Sequence, residues 1–159
     1  MNVPVKDSRT ALLLGEDAIE RLKNAHVCIF GVGGVGGYVL EGLVRCGVGK
    51  FTLIDNDTVS ASNINRQIIA TEATVGRSKV EVARERALSI NSAAEVNVLN
   101  MFFLPENAGE IDFSRFDFVV DAVDTVSAKI EIVLRCQAAE VSLISSMGTG
   151  NKLEPTAFE

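Results

Sequence analysis

The sequence predicts an α/β protein, a doubly wound and mainly parallel sheet with helices on both faces. Two observations predict it. Short apolar, β-branched runs alternate with stretches of helical period. The run DFVVDAVD (117–124) packs its apolar residues together, as in a strand buried on both faces. Strand, helix, strand, repeated, needs crossover connections, and these are right-handed in parallel sheets.

The elements follow in order. An amphipathic helix, Asp17 to Lys23, is expected before the sheet. AHVCIF (25–30) reads as the first strand, with glycines directly after it. Val35 to Cys46 reads as a helix ended by Gly47. KFTLID (50–55) is the second strand. RSKVEVARERALSIN (77–91) carries Val80, Ala83, Ala87 and Ile90 near the helical period. VNVL (96–99) and DFVVDAVD (117–124) are the third and fourth strands. Val126 to Ala139 is helical, and VSLIS (141–145) is a fifth strand. No internal repeat, low-complexity tract or linker interrupts the pattern. The 159 residues suffice for one domain with a proper core.

Composition narrows the function classes. Hydrophobic residues make up 47% and charged residues 23%, as in a soluble globular chain. The net charge of -6 gives no general basic footprint for nucleic acid. The longest uncharged stretch is too short and too rich in glycine for a membrane helix. MNVPVKDSRT has no apolar signal core, so a cytoplasmic protein is expected. Cys28, Cys46 and Cys136 lie far apart with no CxxC, against a disulfide framework or a zinc site. Their apolar surroundings predict buried, inert thiols.

Gly31, Gly33 and Gly36 fit G-x-G-x-x-G, after a strand and opening a helix, the context that motif requires. Gly34 lies within it. Backbone amides and a helix N-terminus attract phosphate there, and a missing Cβ allows close approach. Asp55 ends the second strand, 19 residues after Gly36, where a carboxylate can accept hydrogen bonds from ribose hydroxyls. Glycines that merely pack a helix against a strand would not need this acid in this order. The sheet is therefore read as Rossmann-like and the ligand as a nucleotide. A P-loop is excluded, because Gly49-Lys50 is followed by Phe51.

The polar segment DNDTVSASNINRQIIATEATVGRSKVE (55–81) separates a dinucleotide from a triphosphate. A simple NAD fold would pass quickly from the second strand to the next helix. Here Asn63, Asn65, Arg66, Gln67, Arg77 and Lys79 intervene. Cations beside a phosphate site point to more negative charge than a helix terminus neutralises, as in a triphosphate. The competing reading is a solvated loop whose charges do nothing.

GVGGVG (31–36), DNDTVSASNINRQ (55–67), VGRSKVE (75–81) and DAVDTVSAK (121–129) together resemble the ThiF/MoeB/HesA, or E1-like, adenylating enzymes. The likeness runs from about Arg9 to the end. The resemblance implies ATP as cofactor and adenylation of a carboxylate. By position it implies that Asp55 holds the ribose, that Asn63, Arg66 and Lys79 contact phosphates, and that Asp124 holds Mg2+. Asp57 and Gln67 belong to the same motif and join the implied nucleotide site. Arg9, in DSRTALLLG, fits an arginine that reaches into a partner's site in dimers of this family, so a homodimer is implied.

The residue types suit that chemistry. A carboxylate oxygen is a poor leaving group, and attack on the α-phosphorus of ATP makes an acyl-adenylate and releases pyrophosphate. The protein's work is then positioning and positive charge, with no protein nucleophile. Many members adenylate the C-terminal glycine of a ubiquitin-like sulfur carrier. The chain resembles more closely the branch of tRNA threonylcarbamoyladenosine dehydratases, through SRTALLLGEDAIERL and the tail SSMGTGNKLEPTAFE (145–159). That branch implies a modified adenosine in tRNA as substrate and needs no acceptor thiol. The acidic balance places the expected tRNA contacts partly beyond residue 159. The chain stops at PTAFE where a further strand is expected, so residues 1–159 read as an adenylation domain truncated at its C-terminal end. A non-catalytic or NAD-binding module would be favoured by loss of Arg66 or Asp124, and both are present.

Four single residues are read conservatively. His26 is given a structural role, Asp121 a strand-end packing role, and Lys129 a solvated position one turn past Asp124. Arg77 stands open between phosphate contact and solvent.

Overall fold

The structure is a computed structural model that describes residues 4–148. Helices α1 (Ser8–Leu14) and α2 (Glu16–Asn24) precede β1 (His26–Phe30). There follow α3 (Gly36–Arg45), β2 (Lys50–Ile54), α4 (Lys79–Ile90), β3 (Glu95–Leu99), β4 (Phe118–Asp121), α5 (Val126–Ala138) and β5 (Ser142–Ser145). All five strands pair in parallel, in the order β3-β2-β1-β4-β5. The chain moves outward from β1 to β3 and then crosses to β4. The strand order therefore reverses between β1 and β4, where open α/β sheets bind ligands.

Both faces of the sheet are covered because β1 alternates between two cores. Val27 and Ile29 join Phe51, Leu53, Val96 and Val120 under Leu40 and Val44 of α3 and Val80, Ala83 and Ala87 of α4. Cys28 and Phe30 point the other way, with Ile54 and Val119, against Ala128, Ile132 and Cys136 of α5. Phe103 and Phe113 close this second core, their rings 4.8 and 5.7 Å from that of Phe30.

The strands end level with one another. Phe30 is the register partner of Ile54 and of Asp121, Ile54 of Leu99, and Asp121 of Ser145. The segments that follow β1, β2, β4 and β5 thus share one rim.

Several expectations need correction. β4 stops at Asp121 rather than running to 124, because the Asp121 carboxylate accepts the Val123 amide (3.2 Å) and turns the chain out of the sheet. A further helix, α1, precedes the expected one, and its Leu12 and Leu13 are exposed. Cys46 is exposed, since it caps α3 beyond the last inward residue, Val44. Cys28 and Cys136 are buried, and burial pushes the Cys136 thiol up to about 11 and that of Cys28 well above its usual range. Lys129 is buried as well, because it borders the inward face of α5 formed by Ala128, Ile132 and Cys136. The remaining boundaries agree within one or two residues. Residues 149–159, which carry most of the tail motif, lie outside those described.

Candidate active site

The turn after β1 is held from three sides. Gly31 has φ 83°, and a Cβ there would stand 2.7 Å from the Ala122 carbonyl oxygen after β4. A Cβ on Gly36 would lie 1.8 Å from the Gly31 carbonyl oxygen, so α3 can start only by pressing bare backbone on the turn. The third hold comes from β2. Asp55 Oδ2 accepts the Val32 amide at 2.7 Å, and Asp55 Oδ1 accepts the Asp57 amide at 2.8 Å. One carboxylate thus organises both the glycine turn and the start of the polar segment.

The polar segment is ordered by its own pairing. Thr58 and Ser78 form an antiparallel bridge, with Val59 N–H donating to the Arg77 carbonyl and Lys79 N–H to that of Asp57. This ladder brings Lys79 back beside Asp57, and Lys79 Nζ donates to Asp57 Oδ2 at 2.6 Å. Between the two lies a 3-10 turn, Ala61–Asn63. Asn63 is buried and its side chain accepts the Ser60 amide at 3.1 Å, which fixes the turn. The following amides of Arg66 and Gln67 both donate to the Asn63 carbonyl.

These segments line a cleft of about 810 Å³ on the shared rim. Gly31, Gly33, Gly34, Asp55, Asp57 and Asn63 line it, as do Arg66, Gln67, Lys79 and Asp124. Gly36 lies behind the turn and Arg9 sits exposed on α1, and neither lines the cleft. Arg77 does not line it either and pairs with Glu85 at 2.5 Å on the surface. Asp121 is fully buried and bonds to Lys129, and His26 bonds Thr52 Oγ1 at 2.9 Å far from the rim, at the start of β1.

Of the two cations that line the cleft, Lys79 is paired with Asp57, whereas Arg66 has no acidic partner among the described residues. Arg66 is exposed and its Nη1 donates only to neutral oxygens, the Ser62 carbonyl and Asn65 Oδ1, each at 3.0 Å. No carboxylate among the described residues competes for its charge. Its Cγ would lie 3.7 Å from a Cβ on Gly34, so the side chain lies over the glycine turn. Gln67 is 6% exposed, and its Oε1 has no hydrogen-bond partner among the described residues. A buried amide oxygen without a donor is costly, and a donor on a ligand in the cleft would satisfy it.

A magnesium ion also fits. Asp124 is exposed at the rim, and the described residues contain no cluster of three or more acids, cysteines or histidines that could cage a metal. Mg2+ is commonly bound by one or two carboxylates plus substrate phosphates and waters.

One wall was missed in the sequence. Met101, Phe102 and Phe103, after β3, form an apolar side of the cleft, with Phe102 49% exposed. The signal was present in NMFFLP (100–105), too apolar for an ordinary connecting loop. Asn107 brackets that segment, accepting the Leu104 amide at 2.9 Å and donating to the Phe102 carbonyl at 2.8 Å. The wall stands beside Asp55, the ribose candidate, because β3 pairs with β2.

Comparison with known proteins agrees with this geometry. The chain is 42% identical over 152 residues to the tRNA threonylcarbamoyladenosine dehydratase of Bacillus subtilis, covering 96% of this chain and 60% of that one. It is 35% identical over 142 residues to the molybdopterin-synthase adenylyltransferase of Escherichia coli, covering 89% and 57%. The solved structure of E. coli tRNA N6-threonylcarbamoyladenosine dehydratase, TcdA, in complex with ATP, superposes with a TM-score of 0.88 at 38% identity, covering 95% of this chain and 62% of that one. The chain thus spans about 60% of the length of these relatives. Residues 7–159 match the ThiF family, and with the glycine turn, Asp55 and the Arg66–Lys79 segment on one rim, the chain belongs to that family.

Proposed function

We propose that this chain is the adenylation domain of an ATP-dependent tRNA threonylcarbamoyladenosine dehydratase. The observation that carries the reading is the cleft at the strand-order reversal, where a glycine turn, two cations and an exposed acid converge. The choice of branch rests on the 42% identity to the Bacillus subtilis dehydratase, against 35% to the Escherichia coli molybdopterin-synthase adenylyltransferase.

In this reading ATP lies along the rim. The adenine rests toward Met101 and Phe102, and the ribose hydroxyls donate to Asp55. The phosphates cross the glycine turn toward Arg66, Lys79 and Asp124. The threonyl carboxylate of the modified adenosine attacks the α-phosphorus, and the bond to the leaving pyrophosphate breaks. Arg66 and Lys79 stabilise the charge that gathers on the phosphate oxygens. Asp124 would hold Mg2+, which would supply further neutralisation of the phosphate charge. A neighbouring group of the same modification then attacks the activated carbonyl, AMP leaves with the former carboxylate oxygen, and the ring closes with net loss of one water. Asp57 has a different part. It holds Lys79 at 2.6 Å before phosphate arrives and so keeps the ammonium turned toward the rim.

Assembly belongs to the same proposal. Arg9 completes the site of a second copy in a homodimer, and exposed Leu12 and Leu13 on the same helix supply apolar surface beside it. The protein works in the cytoplasm, where its tRNA substrate is. No helix among the described residues is long and apolar enough to cross a membrane.

The test uses the full-length enzyme, ATP and tRNA carrying threonylcarbamoyladenosine, with mass spectrometry of the nucleosides. Wild type is expected to remove one water, and Arg66→Ala is expected to lose the reaction by about a hundredfold or more with its fold intact. Adenylation of a small Gly-Gly-tailed protein, with the nucleoside untouched, would replace the tRNA substrate by a ubiquitin-like sulfur carrier.

A further inference from the structure

The ammonium of Lys129 is buried at the ends of two strands and does not line the cleft. It donates to Asp121 Oδ2 at 2.9 Å and to the Ser146 carbonyl at 2.7 Å, with Ser145 Oγ at 3.4 Å. Asp121 is fully buried, and Lys129 is 7% exposed. Ser145 Oγ donates to Asp121 Oδ2 at 2.5 Å. The other Asp121 oxygen accepts the Val123 amide, and the Asp121 carbonyl accepts that of Ser146 at 2.8 Å. The lysine thus joins α5, the end of β4 and the end of β5.

What departs from this knot is the flank of the cleft. Ala122, Val123, Asp124 and Thr125 line it on leaving β4, and Gly148 lines it on leaving β5. Ala122 also carries the carbonyl on which Gly31 rests. A buried ion pair is seldom the cheapest way to fill a core, since apolar residues of similar volume are often as stable. Its gain here is geometric. An ammonium with three acceptors fixes two chain segments at once, whereas leucine would fix neither.

We propose that Lys129 is a positioning residue for the nucleotide site, clamping segments 122–125 and 146–148 so that Asp124 and the seat of Gly31 stand ready before ligand binds. The proposal rests on the nucleotide reading of the cleft. Lys129 touches neither nucleotide nor substrate and acts through Asp121 and Ser146.

Hydrogen exchange of the full-length protein, read by mass spectrometry beside calorimetric ATP binding, tests it. Lys129→Met is expected to raise exchange at least tenfold in 122–125 and 146–148, to leave β1 and β2 within twofold, and to weaken ATP tenfold or more. Lys129→Arg, which keeps the charge and the donors, is expected to recover most of both. Should Lys129→Met fail to fold, Asp121→Asn with Lys129→Gln removes both charges together and leaves no orphaned ion; the same local exchange is expected. Unchanged protection in the two segments overturns the proposal, and so does an equal rise across the whole sheet, which would mark a merely stabilising pair. Neither readout needs tRNA, so an enzyme that ignores tRNA would refute the dehydratase reading and leave the clamp to be judged on its own data.

Discussion

The Val32 amide donates to Asp55 Oδ2 at 2.7 Å, so the acid that ends β2 is tied to the turn that ends β1. In the proposed reading Asp55 thus has two parts, tether of the turn and acceptor for the ribose. Asp55→Ala should remove the ribose contact and loosen the turn together, lowering ATP affinity by about a hundredfold, since hydrogen bonds to charged groups contribute roughly 1.5–3 kcal/mol each. Asp55→Asn can still accept the Val32 amide, and it should retain more affinity than alanine. Calorimetric titration of both variants checks the order. Equal losses would mean that the turn does not depend on this tether.

Gly36 and Gly42 both sit in α3 and should respond oppositely to alanine. Helix propensity favours alanine at either position by about 1 kcal/mol. At Gly42 a Cβ meets nothing within 4 Å, so Gly42→Ala should stabilise by about that amount. At Gly36 a Cβ would lie 1.8 Å from a carbonyl oxygen, and the clash should cost about 3 kcal/mol or more. Denaturant midpoints of the two variants decide it.

Lys79 should matter for the outer phosphates more than for the nucleoside. Lys79→Met keeps the buried stem and removes the charge. ATP affinity should fall at least tenfold, while AMP affinity changes less. A parallel loss for both nucleotides would place the lysine elsewhere.

Burial lowers the pKa of His26 below its ordinary value of 6.5, with the Arg115 backbone hydrogen bond opposing. A base with a lowered folded pKa binds fewer protons folded than unfolded just below pH 6.5. Its stability contribution is therefore full above that pH and is lost as pH falls through the folded pKa. Glu41, held low by hydrogen bonds from Arg86 and Arg45, contributes stability lost only below about pH 4.5. Thermal melts between pH 7 and 5.5 should thus show a decline in wild type that His26→Gln lacks. Matching declines would assign the effect to other groups.

Arg9→Ala mixed with Asp124→Ala full-length protein should regain activity through heterodimers, in which one site is whole. Activity that stays absent on mixing would mean that Arg9 acts within its own chain or not at all.

What the sequence disclosed depended on how local each cause was. The apolar run Val27 to Phe30 is a property of four adjacent residues, and it located β1, whereas its division between two cores emerges only once the helices have packed on both faces. The glycine turn was legible for the same reason. The end of β4 was not, because it depends on an Asp121 carboxylate bent back to the Val123 amide. Lys129 reads as solvated because charge normally means solvent, and its acceptors come from the ends of two other strands, Asp121 of β4 and Ser145 and Ser146 at the end of β5. Arg77 stood beside the right motif, yet the ladder that brings Lys79 inward leaves Arg77 with Glu85.

The glycine turn is seated on segments that follow three different strands: Asp55 after β2, Ala122 after β4, and its own α3. No contiguous fragment of the chain contains that seat until the parallel sheet has closed around β1. Nucleotide capture is then a property of the finished fold, and partly folded chains have nowhere to put ATP. A ligand that binds only the native state stabilises it by RT ln(1 + [L]/Kd), about 2.7 kcal/mol at a hundredfold excess over Kd. Cellular ATP would accordingly act on this protein as a folding partner, drawing newly made chains toward the one arrangement that can hold it.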